Sequence, residues 1–263
     1  DCLGAYRNTD YLKFSRGEGD DATRRFYDSV LRGDGAALEG VDLAAACQAC
    51  DQPLADGADV AVELLGVDTG DHLLVKAQTE KGAALLAELG LQAAQTPPQR
   101  QEAVEALLAQ RRQAREEMFS QIRTATDSVE KLAAYLAACV NCYNCRVACP
   151  VCYCRECVFV TDVFDHEPAQ YLQWAARKGR IKMPTDTVFY HLTRLAHMST
   201  ACVGCGQCSN ACPNEIPLAE LFVSVAQQTQ KAFDYLAGRS LQERPPLSEF
   251  RENEFQEIVG INA

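Results

Sequence analysis

Eleven of the fourteen cysteines in this 263-residue chain fall in two short stretches, and both stretches repeat one spacing. Cys139 to Cys157 reads CVNCYNCRVACPVCYCREC, and Cys202 to Pro213 reads CVGCGQCSNACP. Each contains C-x2-C-x2-C-x3-C-P. Three thiolates this closely spaced can wrap one face of an iron–sulfur cube from a single loop, with backbone amides turned toward the cluster sulfurs. The x3 step carries the fourth thiolate away, and the proline helps to end the loop. In paired runs of this kind the fourth cysteine of each run serves the cluster of the other. The spacing therefore predicts two four-iron sites. One is built from Cys139, Cys142, Cys145 and Cys212, the other from Cys202, Cys205, Cys208 and Cys149. The crossover would hold both clusters within electron-transfer contact.

Other uses of cysteine fit this pattern less well. Structural zinc favours two pairs over a run of three plus one. Disulfides suit small secreted chains, and the first residues here do not resemble a targeting segment. Free core cysteine accounts for a few isolated positions at most. Reduced thiolates and clusters imply a reducing, cytoplasmic compartment. The net charge of −11 argues against nucleic acid or an anionic membrane surface as partner. No run of 18 apolar residues predicts a membrane span. The length allows one large domain or two smaller ones.

The remaining pattern predicts an α+β chain. Ala58–Val67 and Asp71–Thr79 read as two strands around a Gly-containing turn. Lys81–Gly90 reads as a short helix with Gly90 at its C-terminal end. Thr96-Pro97-Pro98 marks a boundary, after which residues 99–138 are helical in composition. Further helices are expected over Glu167–Gly179, Thr185–Ala201 and Pro217–Gly238. For the helix after Pro184, either that proline in its first turn or Thr185 as N-cap would start it. The resulting domains are 1–95, a small mixed α/β domain; 96–138, a helical connector; 139–238, an α-helical ferredoxin-like domain; and 239–263, an extended tail. His191 and His197 lie six apart, off the i, i+4 spacing of a helical metal pair. Helix packing is their expected role, with a hydrogen bond from one of them to a cluster sulfide as the alternative, and that of His72 and His166 is unassigned. Trp174, Phe189 and Tyr190 are expected in the core.

Six cysteines are left over: Cys2, Cys47, Cys50, Cys152, Cys154 and Cys157. The density of the CYCREC run is hard to explain by packing, so a third cluster is expected. Its ligands divide two ways. One set starts from Cys2, Cys47 and Cys50, the other from Cys152, Cys154 and Cys157.

Cys47–Leu86 resembles the C-terminal part of the β subunits of deazaflavin-reducing hydrogenases and formate dehydrogenases. The matching positions are Cys47, Cys50, Ala58-Asp59, Gly66, Gly70 and Thr79-Glu80-Lys81-Gly82. Cys2 falls where that family carries another cluster cysteine, and Cys139–Cys157 with its helical partner resembles the formate dehydrogenase β subunit in particular. The resemblance implies an FAD beside a four-iron cluster. Lys76, Thr79 and Lys81 are the candidates to face that flavin, and exposed strand and turn positions account for them equally. Family members begin with about a hundred more residues, and this chain starts at Asp1-Cys2, so a preceding portion is expected. The resemblance also implies a molybdenum or tungsten formate dehydrogenase catalytic subunit as partner. Hydrogenase, heterodisulfide-reductase-like and ferredoxin partners are the alternatives, and a metal-bound adaptor without redox turnover is the alternative of another class. The expected role is an iron–sulfur electron-transfer subunit with no catalytic residue of its own.

Overall fold

The computed structural model describes residues 6–8, 41–68, 72–91, 93–152, 154–161, 167–178, 187–240 and 242–249. It divides the chain into two units, Asp1–Arg123 and Thr124–Ala263. Among the described residues, no helix is long and apolar enough to cross a membrane. The predictions for Cys2, His166, Pro184, Thr185 and the Trp174 side chain lie outside the described residues.

In the first unit, β1 (Tyr6–Asn8) pairs antiparallel with β2 (Val41–Leu43). The short helix α1 (Ala45–Gln48) follows. The expected strand pair forms β3 (Val60–Glu63) and β4 (Leu74–Ala77), antiparallel from Val60↔Ala77 to Glu63↔Leu74. Strand alternation turns Ala61 and Glu63 inward and leaves Val62 exposed. Helix α2 (Glu80–Glu88) begins where the Thr79 hydroxyl accepts the Gly82 amide at 3.2 Å. It packs so closely on the hairpin that a Cβ at Gly82 would stand 1.9 Å from the Asp59 carbonyl oxygen.

Proline suits the first turn of a helix because its missing N–H has no partner to lose there. Pro98 opens α3 (Pro98–Ala125) in this way. Arg100, one turn in, is buried against β3. Its Nε meets Glu63 Oε2 at 2.8 Å, and its Nη1 donates to the Leu65 carbonyl at 3.1 Å. Two turns from the C-terminal end, Arg115 donates to the Ala49 carbonyl at 3.0 Å and lies over the Phe119 ring. The helix thus fastens both the hairpin and the turn after α1.

The second unit is helical. Ser128 caps α4 (Val129–Tyr135) by accepting the Lys131 amide at 3.2 Å. There follow α5 (Asn144–Val147), a 3-10 turn (Val158–Val160), α6 (Pro168–Lys178), α7 (Thr187–Met198), α8 (Gln207–Asn210) and α9 (Leu218–Ala232). The core lies along α9, where Leu218, Leu221, Phe222 and Ala226 are buried, and along α7, where Tyr190, His191 and Met198 are buried. Tyr190 is in the core as expected, whereas Phe189 is 56% exposed. Successive residues on a helix point about 100° apart, so Phe189 faces outward while still meeting the Phe159 ring in a T-shaped contact.

Candidate iron–sulfur site

The two cysteine runs adopt the same local backbone. In the first, Asn141 and Tyr143 have φ of 50° and 60°. In the second, Gly204 and Gly206 occupy the same places with φ of 68° and 77°. The middle of each x2 step is therefore wound left-handed, which lets three successive cysteines curl around one side. Glycine takes this conformation freely, whereas tyrosine does so at a cost of about 1 kcal/mol or more. Tyr143 is held there by edge contact with the buried Tyr190 ring, 4.9 Å between centroids.

One turn of helix follows each loop. α5 carries Cys145 and α8 carries Cys208, both buried. Four residues of helix advance the chain by about 6 Å, so Cys149 and Cys212 emerge away from their own loops, each followed by proline. Where the chain leaves Cys212, Asn214 donates to the Ala138 carbonyl beside Cys139, and the Tyr135 hydroxyl donates to the Pro217 carbonyl at 2.7 Å. These bonds bring the end of the second run against the start of the first.

Two cavities result. The first, about 310 Å³ with its open mouth, is lined by Cys139, Cys142, Cys145 and Cys212, with Tyr190 and His191 among its walls. The second, about 340 Å³, is lined by Cys149, Cys202, Cys205 and Cys208, with Met198 and Phe222. Each cavity therefore holds three cysteines of one run and the fourth of the other. All described cysteines are free thiols. Among the described residues, no three His, Cys, Asp or Glu side chains converge as a single bound ion requires. The thiols surround a space rather than a point, which suits a multi-iron group better than one zinc with sulfur at about 2.3 Å.

Burial pushes the Cys139 thiol up and the Cys208 thiol up to about 12. Thiolates at these positions therefore need a strong cationic partner, as iron is. The cavity walls supply further donors from α7. His191 Nε2 stands 3.4 Å from Cys139 Sγ, the Tyr190 hydroxyl 3.5 Å from Cys145 Sγ, and Arg194 Nη1 3.1 Å from Cys145 Sγ. Burial, with the Arg194 charge beside it, lowers the His191 pKa to about 4, so the ring is neutral at ordinary pH. Its Nδ1 is buried with no hydrogen-bond partner. The tautomer protonated at Nε2 leaves only a lone pair unsatisfied there, and it aims its N–H at the Cys139 sulfur. Packing was the first sequence-based expectation for His191 and a bond to cluster sulfur the alternative; the structure sets its Nε2 beside the Cys139 sulfur. The six-residue spacing to His197 gave no signal. What brings the histidine to the sulfur is the placement of α7 between the two runs.

The other predicted residues have local roles. Thr79 donates to Asp59 Oδ1 at 2.6 Å, and Lys81 meets Asp59 Oδ2 at 2.9 Å. Lys76 is exposed on β4. Cys47 and Cys50 flank Ala49 at the turn out of α1, both half-buried. Cys152 and Cys157 are half-buried and Cys154 is exposed. None of these five cysteines lines either cavity.

The sequence pattern of the 4Fe-4S dicluster domain matches residues 135–216, the span that contains both cavities' cysteines. The F420-dependent formate dehydrogenase subunit beta of Methanocaldococcus jannaschii is 35% identical over 111 residues, covering 42% of this chain and 26% of that protein. The F420-dependent formate dehydrogenase 1 subunit beta of Methanococcus maripaludis is 30% identical over 208 residues, covering 76% of this chain and 50% of that protein. The chain thus spans half or less of the length of these two relatives. Residues 135–216 match a 4Fe-4S dicluster domain, and the chain is similar in sequence to these two formate dehydrogenase β subunits.

Proposed function

We propose that this chain relays electrons through two four-iron clusters as part of a formate dehydrogenase β subunit, working beside a molybdenum or tungsten catalytic subunit. The observation that carries the reading is the crossed sharing of cysteines between the two cavities. Bound there, such clusters supply one-electron redox chemistry. Cys139, Cys142, Cys145 and Cys212 would hold one, and Cys149, Cys202, Cys205 and Cys208 the other. Phe222, Met198 and Val223 supply apolar walls to the second cavity, and Tyr190 with Ile216 and Leu218 lines the first. His191 and Tyr190 direct N–H and O–H groups at ligand sulfurs, which favours the more negative, reduced state. The likeness to two formate dehydrogenase β subunits supports a formate dehydrogenase partner. The remaining cysteines supply a further cluster only if Cys47, Cys50 and the CYCREC thiols find ligands beyond those gathered in the two cavities.

The crossover gives the test. Serine is placed at Cys149 or Cys212 in the anaerobically loaded full chain, and iron, sulfide and the EPR spectrum of the reduced protein are measured. Cys212→Ser should alter the cluster of the first run, and Cys149→Ser that of the second. If each serine alters the cluster of its own run instead, the ligand assignment is wrong. If wild-type protein holds zinc and no reducible cluster, the electron-transfer reading fails.

A further inference from the structure

Arg194 is the most unusual side chain in the second unit. Only 3% of it is exposed, and among the described residues no carboxylate pairs with it. A guanidinium stays charged at any working pH, and a buried cation without an anion is strongly disfavoured. Its Nε has no hydrogen-bond partner at all. What surrounds it is sulfur. Nη1 donates to Cys145 Sγ at 3.1 Å. Nη2 donates to the Cys145 carbonyl at 3.0 Å and lies 3.5 Å from Met198 Sδ. Met198 Sδ in turn accepts from Cys149 Sγ at 3.7 Å and lines the second cavity. The guanidinium also lies over two aromatic rings, Phe222 at 4.7 Å and Tyr190 at 5.7 Å to the ring centroids.

We infer that Arg194 is a shared potential-setting residue, a fixed cation between the two cluster sites that stabilises the reduced state of both and of the first most strongly. The inference rests on the two-cluster reading above. The geometry gives the order of effect. Cys145, a ligand proposed for the first site, is in direct contact, whereas Cys149 of the second is reached through Met198. Burial disfavours the charge of Arg194, and its electrostatic interactions with Cys145, Tyr190, Cys208 and Cys149 favour it, so groups of both cavities feel it. A cluster held by four thiolates is anionic, and one-electron reduction adds a further negative charge. A fixed positive charge at hydrogen-bond distance from a ligand sulfur therefore favours reduction. Low-dielectric surroundings enlarge that effect. The two ring contacts and the bond to the Cys145 carbonyl hold the cation in place, so little reorganisation is needed when the electron arrives.

A purely structural anchor would also be buried, so the test reads potential as well as loading. Arg194→Gln keeps a donor and removes the charge; Arg194→Lys keeps the charge. Each full chain is loaded anaerobically and titrated with mediators under EPR, with iron content measured alongside. The expected result is that R194Q, with both clusters present, lowers the reduction equilibrium of the first cluster at least tenfold, a negative shift of 59 mV for a one-electron couple. The second cluster should shift less, and R194K should restore most of the difference. Loading of R194K but not of R194Q also supports a required cation. Unchanged potentials in loaded R194Q overturn the inference and leave the two-cluster reading standing. Loss of both clusters from R194K and R194Q alike overturns it in favour of a packing anchor. Absence of reducible clusters from the wild-type chain sinks both readings.

Discussion

Gln230 holds the second cysteine run in place through three hydrogen bonds, and replacing it with leucine removes them while nearly keeping the side chain's volume. The residue is 5% exposed on α9. Its Nε2 donates to the Ser199 carbonyl at 3.1 Å and to the Cys202 carbonyl at 2.9 Å, and its Oε1 accepts the Ala237 amide at 3.0 Å. In Gln230→Leu the Ser199 carbonyl and the Ala237 amide lose this buried side-chain partner. Orphaning the buried Ser199 carbonyl costs about 1–3 kcal/mol. The Cys202 bond is only partly buried, and water can replace it at smaller cost. With a urea dependence of about 1–3 kcal/mol per molar, a loss of about 2 kcal/mol lowers the urea midpoint by about 0.7–2 M. The assay is anaerobic urea unfolding of the loaded chain, followed by far-UV circular dichroism and by cluster absorbance and EPR. Because the bonds reach Cys202 and its flank, the cluster signal of the second run should disappear at lower urea than that of the first. An unchanged midpoint in Gln230→Leu would refute the reasoning, since it would mean that the side chain only fills space. Loss of both cluster signals at one urea concentration would refute the claim that Gln230 acts on the second run.

Three further outcomes concern the first unit. Gly82→Ala forces a Cβ to within 1.9 Å of the Asp59 carbonyl, a backbone clash that should destabilise the hairpin–helix contact by about 1–3 kcal/mol, visible as a lower thermal midpoint of that unit. Arg100→Met leaves the Glu63 carboxylate buried without its cation and should cost about 3–5 kcal/mol. The double variant Glu63→Leu, Arg100→Met should recover most of this, and a double-mutant cycle without coupling between the two positions would count against the pair. Asp59 is held below the usual carboxylate range first by the Thr79 hydroxyl and then by the Lys81 ammonium. Its contribution is therefore present above the unfolded-state pKa and is lost as pH falls through the lowered folded value. The midpoints of wild type and Asp59→Asn should converge in strong acid and separate toward neutral pH, by a small amount because the pair is exposed; equal midpoints throughout would show that the pair contributes nothing.

Cysteine spacing alone carried the assignment of eight thiols to two sites, because an x2 step admits only a tight loop and an x3 step only a helical turn. The hairpin of β3 and β4 was also readable, since alternation and turn glycines act over a few residues. Arg194 was not readable as part of the site, and His191 only as one of two histidines able to reach a cluster sulfide. Each sits in an ordinary amphipathic helix, some 50 residues from the sulfur it touches, and nothing local marks a residue that will be packed against a distant thiol. Nor did Tyr143 announce its left-handed backbone, which depends on Tyr190 holding the ring from outside. Phe189 and Tyr190 look alike in sequence, and only the rotation of α7 about its axis decided which one is buried. The sequence by itself determined which atoms can bind iron, because ligand chemistry and loop length are local. Tertiary structure alone decided what surrounds those atoms, a neutral imidazole, a phenol and an uncompensated guanidinium, because charge and burial around a sulfur are set by whichever helix packs against it.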